Sequence, residues 1–236
     1  MISNKKIIKP ALYLFLMVQT FLYGMILSAS GDSLVISSYA AILLCFLFSF
    51  TFGTEFWLVG GLLFTALADF CLVIVEPINR LGGMVFFLGA QICYGIWLHR
   101  KNPNKALLLS RIILTVAAAV ITKAVLREKS DALALVSVCY YANLIQNILS
   151  AFSRFQEQKT ISIGLLLFLL CDTVIGLQVA AGTYLPIGAE SALYKFLFMG
   201  FNLSWFFYLP SQICIALTAS RTGLKSIFTL TEDSAT

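Results

Sequence analysis

Two aspartates stand where a charge is hardest to keep. Asp69 closes the stretch Gly61-Leu-Leu-Phe-Thr-Ala-Leu-Ala-Asp69, inside an apolar run from Phe56 to Val75. Asp172 closes Gly164-Leu-Leu-Leu-Phe-Leu-Leu-Cys-Asp172, at the same offset from the same Gly-Leu-Leu start. An acid inside hydrocarbon is costly, and such residues usually face a bundle interior or a wet cavity. Two of them in one cavity could hold one acid and one carboxylate near neutral pH, a division used in several acid–base mechanisms. The plainer alternatives are hydrogen bonds to neighbouring helices, or a place in a proton or cation path.

The elements that position these acids follow from composition. Of 236 residues, 60% are hydrophobic and only 11% charged, which excludes an ordinary soluble domain, where about a quarter are charged. Several apolar runs match the roughly 20 residues a helix needs to cross a bilayer, and they lack the alternation of β-barrel strands. The fold class is therefore all-α, a polytopic membrane helix bundle of about eight spans. They lie near 10–29, 34–52, 56–75, 81–98, 107–125, 131–152, 161–181 and 190–218. Turn chemistry separates them, as at Ser30-Gly31-Asp32, Gly53-Thr54-Glu55, Lys101-Asn102-Pro103-Asn104 and Gly182 to Gly188 with Pro186.

The net charge of +5 is spread over short loops and gives no nucleic-acid signal. If the N-terminus is cytoplasmic, that side collects Lys5, Lys6, Lys9, Arg100, Lys101, Lys105, Arg111, Arg154, Lys159, Arg221 and Lys225. The other side holds Arg80, Arg127 and Lys129, while Lys123 and Lys195 fall within spans. This bias puts both termini in the cytoplasm, as in a bacterial-type plasma membrane. Ser28-Ala29-Ser30 after the first span also allows a cleaved signal peptide, the less favoured reading. Residues 1–220 form one transmembrane domain, compatible with two parallel four-helix repeats, 1–103 and 104–220, and residues 221–236 form a short polar tail.

Further polar residues cluster on a few spans. Span four carries Phe87, Gln91 and Tyr94 on one helical face. Span six carries Tyr140, Tyr141, Asn143, Gln146 and Asn147; span eight carries Tyr194, Lys195, Asn202, Ser204, Tyr208 and Gln212. Any one intramembrane amide is more often glue between helices than a substrate contact. Together they imply a polar interior lined by spans three, four, six, seven and eight, with spans one, two and five toward lipid. The six cysteines all fall inside spans, without metal-ligand spacing, and the single histidine, His99, sits at a span end. There is no nucleophile elbow and no phosphate-cradling glycine loop.

At these residues the chain resembles the lysoplasmalogenase family, the YhhN-like membrane proteins, over roughly residues 34–218. The first family signature is similar to Leu67-Ala68-Asp69, then Pro77-Ile78-Asn79-Arg80, then Phe87-Leu88-Gly89-Ala90-Gln91-Ile92-Cys93-Tyr94. The later signature is similar to Leu170-Cys171-Asp172 and Tyr208-Leu209-Pro210-Ser211-Gln212. The chain departs from the pattern at Ala68, where Gly is usual, at Gln91, where His is usual, and at Ser38-Tyr39, where Lys-Pro is usual. The resemblance implies cleavage of the vinyl-ether bond of a lysophospholipid, with Asp69 and Asp172 as the acid–base pair. Gln91, Tyr94, Asn143, Asn202, Tyr208 and Gln212 would contact substrate or water. No metal or cofactor is called for, and the only partners implied are membrane lipids and the lysophospholipid substrate, with no protein partner inferable. The alternatives on the same scaffold are a non-catalytic carrier, a proton or ion pathway, a lipid-binding protein, or a structural protein whose acids only join helices.

Overall fold

The computed structural model describes residues 5–28, 30–75, 77–183, 190–199 and 201–220. The expectations placed on Ala29, on the turn around Pro186, on Arg221 and Lys225 and on the tail lie outside them. The described chain is helical, without a strand, in the order α1 (Lys5–Ser28), α2 (Asp32–Phe52), α3 (Phe56–Asp69), α4 (Arg80–Lys101), α5 (Lys105–Leu126), α6 (Ala132–Phe152), α7 (Lys159–Thr183), α8 (Ala192–Leu197) and α9 (Leu203–Ala219). Counting the turn that continues α3, seven helices among the described residues are long and apolar enough to span a bilayer, which makes the chain an integral membrane protein.

The breaks start helices by capping. Asn79 Oδ1 accepts from Gly82 N (2.9 Å) ahead of α4, Asn104 Oδ1 from Ala106 N (2.9 Å) ahead of α5, and Asp131 Oδ1 from Ala134 N (2.7 Å) ahead of α6. Each satisfies a backbone donor that a helix N-terminus leaves open. The span expected over 190–218 is not one helix. It divides into the short α8 and the 17-residue α9, with the chain leaving helical geometry between them. Lys195, expected inside a span, is instead exposed on α8, where its Nζ meets Glu190 Oε2 at 2.8 Å.

Packing corrects one further expectation. α5 is peripheral as anticipated, with no residue fully buried, and α6 is its main neighbour. α2, expected toward lipid, packs against α1, α3 and α9 and buries Ser38, Ala41, Ile42 and Cys45. Its Ser38 and Ala41 are small enough to permit close helix approach, the usual driver of association where lipid is as apolar as the side chains. The most extensive pairings join α7 to α9, α3 to α4 and α4 to α6.

The two matched glycines mark two of these approaches. A Cβ at Gly61 would lie 2.1 Å from Tyr94 Cε1, and one at Gly164 would lie 2.9 Å from Cys214 Cβ. Tyr94 is fully buried and cannot swing aside. Gly61→Ala is therefore expected to cost about 1–3 kcal/mol, the usual penalty for overpacking, read as a lower midpoint of thermal unfolding in detergent; an unchanged midpoint would contradict this packing.

α9 contains Pro210, which supplies no N–H to the Phe206 carbonyl one turn earlier. Tyr23 Oη of α1 donates to that oxygen at 3.0 Å. Asn202 Nδ2, at the N-cap of α9, donates to Ile26 O in the last turn of α1 at 2.7 Å. These two bonds fix α9, and with it Tyr208, against the first helix.

Candidate functional site

α3 stops being an α-helix at Asp69. The next five residues, Phe70–Ile74, form a π-turn closed by Val75 N donating to Phe70 O at 3.0 Å. Such turns widen the helix by one residue and are frequent at functional sites. The Asp69 side chain is buried. Its Oδ2 accepts from Tyr208 Oη of α9 at 2.7 Å. On α7, Asp172 Oδ2 accepts from Tyr140 Oη of α6. Each acid lies about 20 Å from the first residue of its helix, at about 1.5 Å per residue.

Four rings bring the two acid–phenol pairs together. Phe168, one turn before Asp172, packs on Tyr208 at 5.4 Å between centroids, on Phe87 at 5.8 Å and on Tyr140 at 6.4 Å. Phe87 packs on Tyr140 at 5.7 Å and on Tyr208 at 6.4 Å. All four rings are buried. The phenols thus have their bodies held by apolar faces and their hydroxyls committed to carboxyl oxygens, which leaves each carboxyl one defined orientation. Tyr140 and Phe168 are the site residues that the sequence reading passed over. Tyr140 stood among the polar residues of span six, but nothing in the sequence gives the rotation that aims it at α7.

The other candidates sort into separate places. Tyr94 Oη shares a 3.2 Å hydrogen bond with Thr65 Oγ1, one turn before Asp69, and so positions the acid-bearing face of α3 without touching the acid. Gln91 accepts through both its backbone oxygen and its Oε1 from Asn147 Nδ2, each at 2.8 Å. Asn147 Oδ1 and Asn143 Oδ1 accept from Arg111 Nη2 (2.7 Å) and Nη1 (3.2 Å). Arg111, counted from the sequence toward the cytoplasmic end of the fifth span, lies in α5 with its side chain half-buried against α6. Asn202 serves the α1–α9 junction described above. Gln212, one turn beyond Tyr208, is fully buried, and neither its Oε1 nor its Nε2 meets a hydrogen-bonding partner among the described residues.

The two acid–phenol pairs do not follow a repeat. An operation carrying α3 onto α7 would give both acids partners on equivalent helices, yet Asp172 bonds to the helix before it and Asp69 to the last helix of the chain.

Long apolar helices around one buried and one half-buried acid define a polytopic helical membrane protein with a polar site inside the bundle. The chain belongs to the YhhN family, the family of lysoplasmalogenases, whose model matches residues 7–219. No match was found among curated proteins or among solved structures.

Proposed function

We propose that this chain hydrolyses the vinyl-ether bond of a lysoplasmalogen-type lysophospholipid within the membrane, using Asp69 and Asp172 as an acid–base pair. The observation that carries the reading is the pairing itself: two intramembrane carboxyls, each held by a phenol, around one cluster of aromatic rings.

The chemistry asks for what such a site supplies. One carboxylic acid gives its proton to the outer alkene carbon, and the ether oxygen's lone pair leaves an oxocarbenium ion. The second carboxylate takes a proton from water as the water oxygen bonds to the cationic carbon. As the resulting hemiacetal breaks its bond to the glycerol oxygen, the second acid gives its proton to that oxygen and the first carboxylate takes the hydroxyl proton, so that an alcohol and a fatty aldehyde leave and both carboxyls return to their starting states. This parallels the two-carboxylate logic of glycoside hydrolysis. The faces of Phe87 and Phe168 are suited to cover a transient cation. The Gln212 amide, buried without a partner among the described residues, is suited to hold water one turn from Tyr208. With both termini cytoplasmic, as the basic residues favour, the acids lie in the outer half of the bilayer.

The test is aldehyde release by purified protein in detergent from a lysoplasmalogen, set beside the matched ester lysophospholipid. Aldehyde from the vinyl ether alone is the expected result. The second reading, a non-catalytic carrier or proton path, draws on Gln91, which stands at the family's histidine position and spends its Oε1 on Asn147. Well-folded protein that releases no aldehyde from pH 4 to pH 9 would favour that reading instead.

A further inference from the structure

Arg111 is a half-buried cation of α5 without a carboxylate partner among the described residues. The described ion pairs join Lys101 to Glu55, Arg154 to Glu157 and Lys195 to Glu190, and none reaches Arg111. Two of its five N–H donors engage the Asn143 and Asn147 oxygens, and the other three have no partner among the described residues. Neutral amides orient a guanidinium but do not neutralise it, and a partly buried charge at membrane depth calls for a counter-charge.

The surroundings fit an anion of one kind. A cavity of about 200 Å³ opens between α4, α5 and α6, and Arg111, His99, Arg100, Asn143 and Ser150 line it. Its lip carries Ile92 and Leu108, both more than 40% exposed and hence facing lipid. Arg111 lies about 9 Å inside the start of α5, at about 1.5 Å per residue, just below headgroup level, and His99 and Arg100 form a basic rim above it. Gly95 makes the space: a Cβ there would lie 2.4 Å from Arg111 Nη1 and 3.0 Å from Asn147 Oδ1.

We propose that this cavity is a subsite for the phosphate of a phospholipid headgroup, entered from the leaflet on the side of the α4–α5 loop. Arginine matches phosphate oxygens through its planar fork of donors. An apolar lip beside a basic floor selects an anion that carries a chain. The proposal stands apart from the hydrolytic reading, since it concerns a group that the proton transfers do not involve.

The probe is a saturated 1-O-alkyl lysophosphoethanolamine, which has no vinyl ether to cleave. Its binding to protein in maltoside detergent is compared with that of the 1-O-alkylglycerol lacking phosphate. Arg111→Gln is expected to weaken the phospholipid at least tenfold and leave the alkylglycerol unchanged. Gly95→Ala, which keeps the charge but crowds the guanidinium, is expected to weaken the phospholipid several-fold. Equal affinity in wild type and Arg111→Gln, or equal loss for both lipids, overturns the proposal. If Arg111→Gln does not fold, Gly95→Ala decides alone, and an unchanged preference for the phosphate-bearing lipid overturns it. Inorganic phosphate that displaces the alkyl lysolipid at low millimolar concentration would assign the cavity to a free anion and overturn the lipid assignment. Binding that survives Asp69→Asn and Asp172→Asn is expected whether or not the protein releases aldehyde.

Discussion

Asp69→Asn and Asp172→Asn are each expected to cut aldehyde release by about 10²–10⁴-fold, the range over which a positioned general acid or base contributes. Both variants should elute as monodisperse protein, because an amide oxygen still accepts the phenolic proton that Tyr208 or Tyr140 donates. The isosteric change isolates proton transfer from helix joining. Acids that merely join helices tolerate an amide that keeps the hydrogen bond, whereas an amide can neither give nor take the proton that the reaction moves. Activity within a few-fold of wild type in either variant would remove that aspartate from the chemistry. Combining the two changes should add little to the loss from one, since groups that act as a unit are grossly non-additive.

Phe168→Ala is expected to be the most damaging apolar truncation in the molecule, at about 3–5 kcal/mol, the range for a buried phenylalanine cut to alanine. Phe168 is completely buried and touches three other rings of the cluster. Because lipid tails solvate apolar groups as well as a core does, the loss is one of packing contacts rather than of exclusion from water. The void would lie between the two acid–phenol pairs, so turnover should fall along with stability. Phe168→Leu refills much of the volume and should recover most of the stability but less of the turnover. Unfolding in graded denaturing detergent, run beside the aldehyde assay, separates the two. A loss under about 1 kcal/mol for the alanine variant, with turnover intact, would contradict the role given to the cluster.

Much of this architecture is written in local chemistry. Asn79, Asn104 and Asp131 cap the helices whose starts they mark, and Asp69 and Asp172 stand out by interrupting long apolar runs. What escapes is rotation. A helix such as α7 is apolar on every side, so no stripe tells which face meets a neighbour, and the approach of Tyr140 to Asp172 is decided by packing between helices. The π-turn after Asp69 has no signature in Phe70-Cys-Leu-Val-Ile74 that separates it from ordinary helix. The break between α8 and α9 hides in a stretch whose apolar residues read as one continuous span. Arg111 is legible as a basic residue near the start of the fifth span, but its turn toward Asn143 and Asn147 is not. Asn202 and Tyr94 show the opposite case, polar groups whose places in the bundle are explained by joining helices.

The unlike partnerships of the two carboxyls bear on the direction of proton traffic. Were the site truly two-fold, a proton passing between its halves would rest in a symmetrical double well, with no preferred seat and no fixed starting point for a catalytic cycle. Asp69 answers to the last helix beside a widened turn, and Asp172 to its own predecessor along a regular helix. Under the proposed reaction the framework would tilt that well before any lipid arrives, and each turnover would begin with the proton on the same aspartate.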